Sequence, residues 1–221
     1  ATGSGMELDV HRTIDGQLVV IHDSTLDRTT NGSGAVANKT LDEIRGLDAG
    51  SWFSKQYRAE RIPTLREALR LARGRGLVMV ELKVPGIARQ VGEEIAGERM
   101  LDDVIITGTR DVLIEARQEC PHFTTYLAGS WGDSLCQANL LVGEHLDWVV
   151  ANGIRIMGIS IYTLSDPILE MCRCRGVTVW GSRALAPTDG EISDFLSLGL
   201  DGLLTDVPAQ VVKVMRKPGQ I

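Results

Sequence analysis

The sequence predicts an α/β fold built on a largely parallel sheet. Short apolar runs of strand length alternate with stretches of helical periodicity along all 221 residues, the pattern of successive βα units. Charged residues close several of those runs, as in Glu7-Leu8-Asp9-Val10 and Val80-Glu81-Leu82-Lys83, where a strand would hand over to a loop. A hydrophobic content of 43% at this length is enough for one well-buried core, so a single domain over 1–221 is expected.

Strands are expected at 5–10, 17–22, 77–82, 103–107, 123–128, 156–161, 176–180 and 202–205. Ile14-Asp15-Gly16-Gln17 is too short for a parallel crossover, so the first two strands should form an antiparallel hairpin. Helices are expected at 41–46, 64–75, 86–98, 109–118, 133–151, 165–174 and 189–198, the last capped by Thr188 or Asp189. The segment 23–62 is rich in Thr, Asn, Gly, Asp and Ser and holds one short helical pattern. It reads as a loop-dominated insertion without a core of its own. No repeat or low-complexity tract stands out.

Composition narrows the function classes. A formal net charge of −6 argues against a nucleic-acid footprint, which would be basic. No run approaches the ~18 uninterrupted apolar residues of a membrane helix, so no stable membrane insertion is expected. The N-terminus carries no charged-then-apolar leader, and a cytoplasmic location is expected. Cys120, Cys136, Cys172 and Cys174 lack zinc-site spacing and read as free thiols.

The charged strand ends carry the chemistry. Glu7 and Asp9 are two apart, so in an extended strand both carboxylates face the same way. Glu81 and Lys83 repeat that spacing at the end of another strand, and His22 ends the run Val19-Val20-Ile21. Three acidic oxygens, a cation and a histidine make the inventory of a hard-metal site acting on an anion. A Glu-x-Asp pair alone is more often a solvated strand edge or an ion-pair partner. His11 shares parity with Glu7 and Asp9 but is expected past the strand's end, in the hairpin turn. His122 and His145 are expected at the surface, and Arg28 and Asn31 are expected to organise a turn.

Longer strings carry a resemblance. Gly5-Met6-Glu7-Leu8-Asp9-Val10, Ile21-His22-Asp23-Ser24-Thr25-Leu26-Asp27-Arg28-Thr29-Thr30-Asn31-Gly32, Arg61-Ile62-Pro63-Thr64-Leu65 and Val80-Glu81-Leu82-Lys83 resemble the glycerophosphodiester phosphodiesterase family. Val177-Thr178-Val179-Trp180 and Gly202-Leu203-Leu204-Thr205-Asp206-Val207-Pro208 continue it in the same order. The match is specific in the N-terminal portion and weak from about 105 to 170.

The resemblance implies a TIM (β/α)8-type barrel whose strand ends converge on one mouth. It implies Glu7, Asp9 and Glu81 as ligands of Mg²⁺ or Ca²⁺, His22 as acid/base and Lys83 as the phosphate-binding cation. It further implies Trp180, at a strand end, as a wall against glycerol. The substrate would be a small glycerophosphodiester, hydrolysed to glycerol 3-phosphate and an alcohol. Family members place a His-Arg-Gly strand and an Asn-bearing helix before the Glu-Leu-Asp-Val strand. Their absence from this sequence leaves seven barrel strands where eight are required, and one acid/base histidine fewer. The resemblance therefore implies an incomplete barrel whose open edges are bridged by another segment or by self-association. It also implies impaired catalysis or, as the alternative, a binding remnant or one half of a split protein. Gly181-Ser182-Arg183 after the tryptophan and Thr107-Gly108-Thr109 depart from the family pattern.

Overall fold

The structure is a computed structural model that describes residues 5–128, 135–161, 163–183 and 188–216; the side chains of 135–142 and of 183 lie outside that description. It divides into two compact units, one running to Phe123 and the other starting at Thr124. Both are made of the strand–helix repeats of a TIM-barrel-type α/β fold.

The first unit contains β1 (Met6–Arg12), β2 (Leu18–Val20), β3 (Val78–Leu82) and β4 (Val104–Gly108), with α1 (Leu41–Arg45), α2 (Leu65–Ala72), α3 (Ala88–Gly97) and α4 (Arg110–Glu119). β1, β3 and β4 are parallel, and β2 returns antiparallel against the C-terminal half of β1, pairing Val10 with Val20 and Arg12 with Leu18. The expected hairpin is therefore present. Its strand extends two residues further than expected, because pairing with β2 holds His11 and Arg12 in extended form.

β3 and β4 are buried at nearly every residue, with Glu81 and Gly108 less so. Val10, Val78, Val80, Leu82, Val104 and Ile106 are at most 2% exposed. The helices cover them with one apolar stripe each, such as Leu65, Leu69 and Ala72 of α2. Two of the helix starts are fixed by Thr-x-x-Glu capping boxes, Thr40 with Glu43 and Thr64 with Glu67. Glu115 of α4 accepts hydrogen bonds from the main-chain N–H groups of Gly86 and Ala88, at the start of α3.

The insertion differs from expectation. Leu26, Val36, Ile44 and Ile62 are buried together with Val19 and Ile21, and Leu41, Leu47 and Ala49 pack against them. The segment thus has a small core, shared with Val19 of β2 and with Ile21 just after it. Asp48 organises its far loop by accepting from the N–H groups of Gly50, Ser51 and Ala59. Asn31 fixes the same region, its Oδ1 accepting from Asp48 N–H at 2.8 Å, which is the turn role expected of it.

The second unit contains β5 (Thr124–Leu127), β6 (Ile156–Ser160), β7 (Thr178–Arg183) and β8 (Gly202–Thr205), all parallel. Its helices are α5 (Leu135–Ala151), α6 (Asp166–Cys174), α7 (Asp189–Ser197) and α8 (Pro208–Met215). Thr188 is the cap of α7, in a box with Glu191. α8 was not expected from the sequence; it begins on Pro208 and packs Val211 and Val214 against Ile192, Leu196 and Leu203.

Residues 133 and 134 of the expected fifth helix lie outside the described residues. Cys120, Cys172 and Cys174 are free. No helix among the described residues is long and apolar enough to cross a membrane.

Candidate active site

The first unit gathers five of the six expected site residues. On β1 the apolar side of the pleat ends in Val10, which is fully buried, while Glu7, Asp9 and His11 share the opposite side. On β3 the buried Val80 and Leu82 flank Glu81 in the same manner. The parallel register sets Asp9 directly beside Glu81. As a result, one carboxylate oxygen from each of Glu7, Asp9 and Glu81 lies within 4.8 Å of the others.

Lys83 follows at the end of β3, its main-chain N–H bonded to the Val10 carbonyl at 3.1 Å. Its Nζ stands 3.0 Å from Asp9 Oδ1 and 3.0 Å from Glu81 Oε1. Burial would lower the Lys83 pKa, but the hydrogen bonds and charges of Glu81 and Asp9 outweigh it and raise it, so the ammonium stays charged. Glu7 is exposed by surface area. Even so, the protein mass around its carboxyl, and then the charges of Asp9 and Glu81, push its pKa up to about 7. Three carboxylates against one ammonium leave an excess of two negative charges when all are ionised. That excess, carried by hard oxygen donors, fits a divalent cation held by Glu7, Asp9 and Glu81.

His22 sits just past β2, where the preceding residue's N–H bonds to the Asp9 carbonyl at 3.0 Å. Its side chain is 66% exposed, and its Nδ1 lies 2.7 Å from Asp23 Oδ1. Asp23 is gripped in turn by Arg28, whose Nε and Nη2 donate to the two carboxylate oxygens at 2.6 and 2.8 Å. Arg28 therefore organises the turn, as expected, but through the histidine's own partner. His11 is corrected: it lies inside β1 opposite Val19, only 6% exposed, with Nε2 3.4 Å from the His22 carbonyl oxygen. Burial lowers its pKa. His122 is exposed, as expected, and His145 is half-buried on α5.

Trp180 belongs to the second unit and is also corrected in position. β7 continues through Gly181, Ser182 and Arg183, so the indole stands mid-strand rather than at a strand end. It packs 5.8 Å from the ring of Tyr126 and lies over Gly202, where an added Cβ would come within 2.7 Å of the indole.

Comparison with known proteins decides the family. The glycerophosphoryl diester phosphodiesterase family model matches residues 2–128, more than half of the chain. The glycerophosphodiester phosphodiesterase of Caldanaerobacter subterraneus subsp. tengcongensis is 34% identical over 226 residues, spanning 97% of this chain and 87% of that protein. The chain belongs to the glycerophosphoryl diester phosphodiesterase family.

A second curated relative, the glycerophosphodiester phosphodiesterase of Bacillus altitudinis, is 31% identical over 95% of this chain and 85% of its own. Among solved structures, the glycerophosphodiester phosphodiesterase of Agrobacterium tumefaciens superposes with a TM-score of 0.81 at 26% identity, covering 95% of this chain and 86% of that one. A phosphodiesterase of Oleispira antarctica, solved with the product sn-glycerol-3-phosphate, superposes at 0.78 with 22% identity over 97% of this chain and 86% of its own. These likenesses establish the TIM-barrel-type α/β class. By family the chain is a phosphodiester hydrolase. The family stretch 2–128 contains Glu7, Asp9, His22, Glu81 and Lys83, whereas Trp180 lies beyond it.

Proposed function

We propose that this chain hydrolyses glycerophosphodiesters to glycerol 3-phosphate and an alcohol with the aid of Mg²⁺ or Ca²⁺. The observation that carries the reading is the convergence of Glu7, Asp9 and Glu81, with Lys83 paired to Asp9 and Glu81, in a chain of this family. The names of its relatives, and the product complex of the Oleispira antarctica protein, support the substrate class.

Glu7, Asp9 and Glu81 would hold the cation, which when bound supplies Lewis-acid polarisation of the phosphoryl group. Lys83 places a compact positive charge where a non-bridging phosphate oxygen can be bound. In the net reaction the attacking oxygen forms one P–O bond and loses a proton. The P–O bond to the leaving alcohol breaks, and its electron pair stays on the alcohol oxygen, which takes a proton. His22 is assigned that proton, given from Nε2, the ring nitrogen that Asp23 leaves free. Trp180 is the candidate for contact with glycerol, on resemblance alone.

A coupled assay for glycerol 3-phosphate released from glycerophosphocholine tests the reading. Turnover should require Mg²⁺ or Ca²⁺ and be lost in EDTA. His22→Ala should cost ~10²-fold or more. Turnover that survives EDTA would remove the cation from the reading. Cation-dependent binding of the diester without turnover would favour a binding role instead.

A further inference from the structure

We propose that Asp23 and Arg28 are positioning residues for His22: Asp23 fixes the imidazole with its proton on Nδ1, and Arg28 locks Asp23 in place. This rests on the acid/base assignment of His22 made above.

The geometry constrains the tautomer. Asp23 Oδ1 lies 2.7 Å from His22 Nδ1, while both carboxylate oxygens also accept from the Arg28 guanidinium. A carboxylate engaged by a bidentate fork is ionised and can only accept. Consistent with this, Arg28 and then His22 hold the Asp23 carboxyl well below the usual carboxylate range. An acceptor at 2.7 Å requires that Nδ1 carry the hydrogen. Nε2 is then left as the working nitrogen, a lone pair in the neutral ring and an N–H donor in the protonated one.

Such control matters because the His22 side chain is mostly exposed, so packing does little to orient it. Without Asp23 the ring could turn about its Cβ–Cγ bond or exchange tautomers with water. The guanidinium has a second effect: its charge offsets that of Asp23, so the pair directs the ring without adding net charge beside it. His11 Nε2 also lies 3.4 Å from the His22 carbonyl oxygen, a contact to the main chain of the same residue. The side chain is held at Nδ1 and the main chain at its carbonyl.

The test uses cation-free protein labelled with ¹⁵N-histidine, with the His22 signals assigned by their loss in His22→Ala. Long-range ¹H–¹⁵N correlation of the wild type at a pH where the ring is neutral should show Nδ1–H as the dominant tautomer. Asp23→Asn, whose amide can pair with either ring form, should erase that bias. Arg28→Lys, which keeps the charge but not the fork, should weaken it with the fold intact. In the glycerol 3-phosphate assay Asp23→Asn should lower kcat about 10- to 100-fold with little change in KM.

A His22 tautomer unchanged in both variants would overturn the proposal. So would a defect of Arg28→Lys confined to KM, which would make Arg28 a phosphate contact. The spectroscopic result decides the positioning role by itself. The kcat of His22→Ala separately decides whether the ring is the acid/base group.

Discussion

At the residue scale, Glu7 connects the local electrostatics of the cluster to pH. Its pKa stands at about 7 against an ordinary 4.5, raised by its surroundings and by Asp9 and Glu81. Between those values the folded cation-free chain holds a proton that the unfolded chain has released. Stability contributed by this group is therefore present below pH 4.5 and is lost as pH rises through about 7. A cation at the cluster must displace the same proton. Its affinity should fall by up to about tenfold per pH unit below pH 7, with proton release on binding. Calorimetric titration of Mg²⁺ or Ca²⁺ at pH 5.5, 6.5 and 8 in buffers of different ionisation enthalpy reads both quantities. In Glu7→Gln the proton release should vanish. Equal affinity at all three pH values in the wild type would show that Glu7 takes no part.

At the element scale, the helix starts hold the strand ends that carry the site. Thr64 caps α2, accepting from Glu67 N–H, while the Glu67 carboxylate accepts from Thr64 N–H at 2.9 Å and pairs with Arg45 of α1. The residue before it bonds the hairpin, Val20 N–H to the Pro63 carbonyl at 2.9 Å. Thr64→Ala should lower stability by ~1 kcal/mol in chemical denaturation, and Thr64→Ser should recover most of it. A neutral Thr64→Ala would mean that water satisfies the freed N–H groups equally well.

The same scale shows what was legible in the sequence. The parity of Glu7 with Asp9 and of Glu81 with Lys83 is a local property of extended chain and is legible directly. The meeting of the two pairs is implied only by the resemblance and is made by the parallel register of β1 with β3. The position of His11 depended on how far β1 runs, and that is set by pairing with β2, a contact between segments. The core of the insertion is not legible in the sequence because Leu26, Val36, Ile44 and Ile62 are spaced singly, with no helical or strand period. Gly181 is a weak strand former and ends the apolar run at Trp180, yet register with Leu203 and Leu204 carries β7 on through Gly181 and Ser182. Thr-x-x-Glu at 40–43 and 64–67, and Pro208 before an apolar stretch, were signals already present for the helix starts and for α8.

At the scale of the whole molecule, a net charge of −6 is distributed over many exposed groups, but at Glu7, Asp9 and Glu81 it is concentrated within 4.8 Å. Folding brings these carboxylates together and Lys83 offsets only one of them, so the folded state bears a repulsion that the unfolded chain does not. A ligand that binds only the folded state stabilises it by RT ln(1 + [L]/Kd), about 2.7 kcal/mol at a hundredfold excess over Kd. For a chain of this size that corresponds to a rise in Tm of about 5–11 °C. Mg²⁺ or Ca²⁺ should produce such a rise, EDTA should reverse it, and Glu81→Gln should reduce it sharply. Glu81→Gln should also raise the melting point of the cation-free protein slightly, because it removes one member of the repelling set while leaving Lys83 with Asp9. Sodium chloride at matched ionic strength separates the two origins. General screening would reproduce the effect of the divalent salt in wild type and variant alike. A bound ion gives a rise that depends on the divalent cation and on Glu81, and an equal response to both salts would show that the cluster binds no ion.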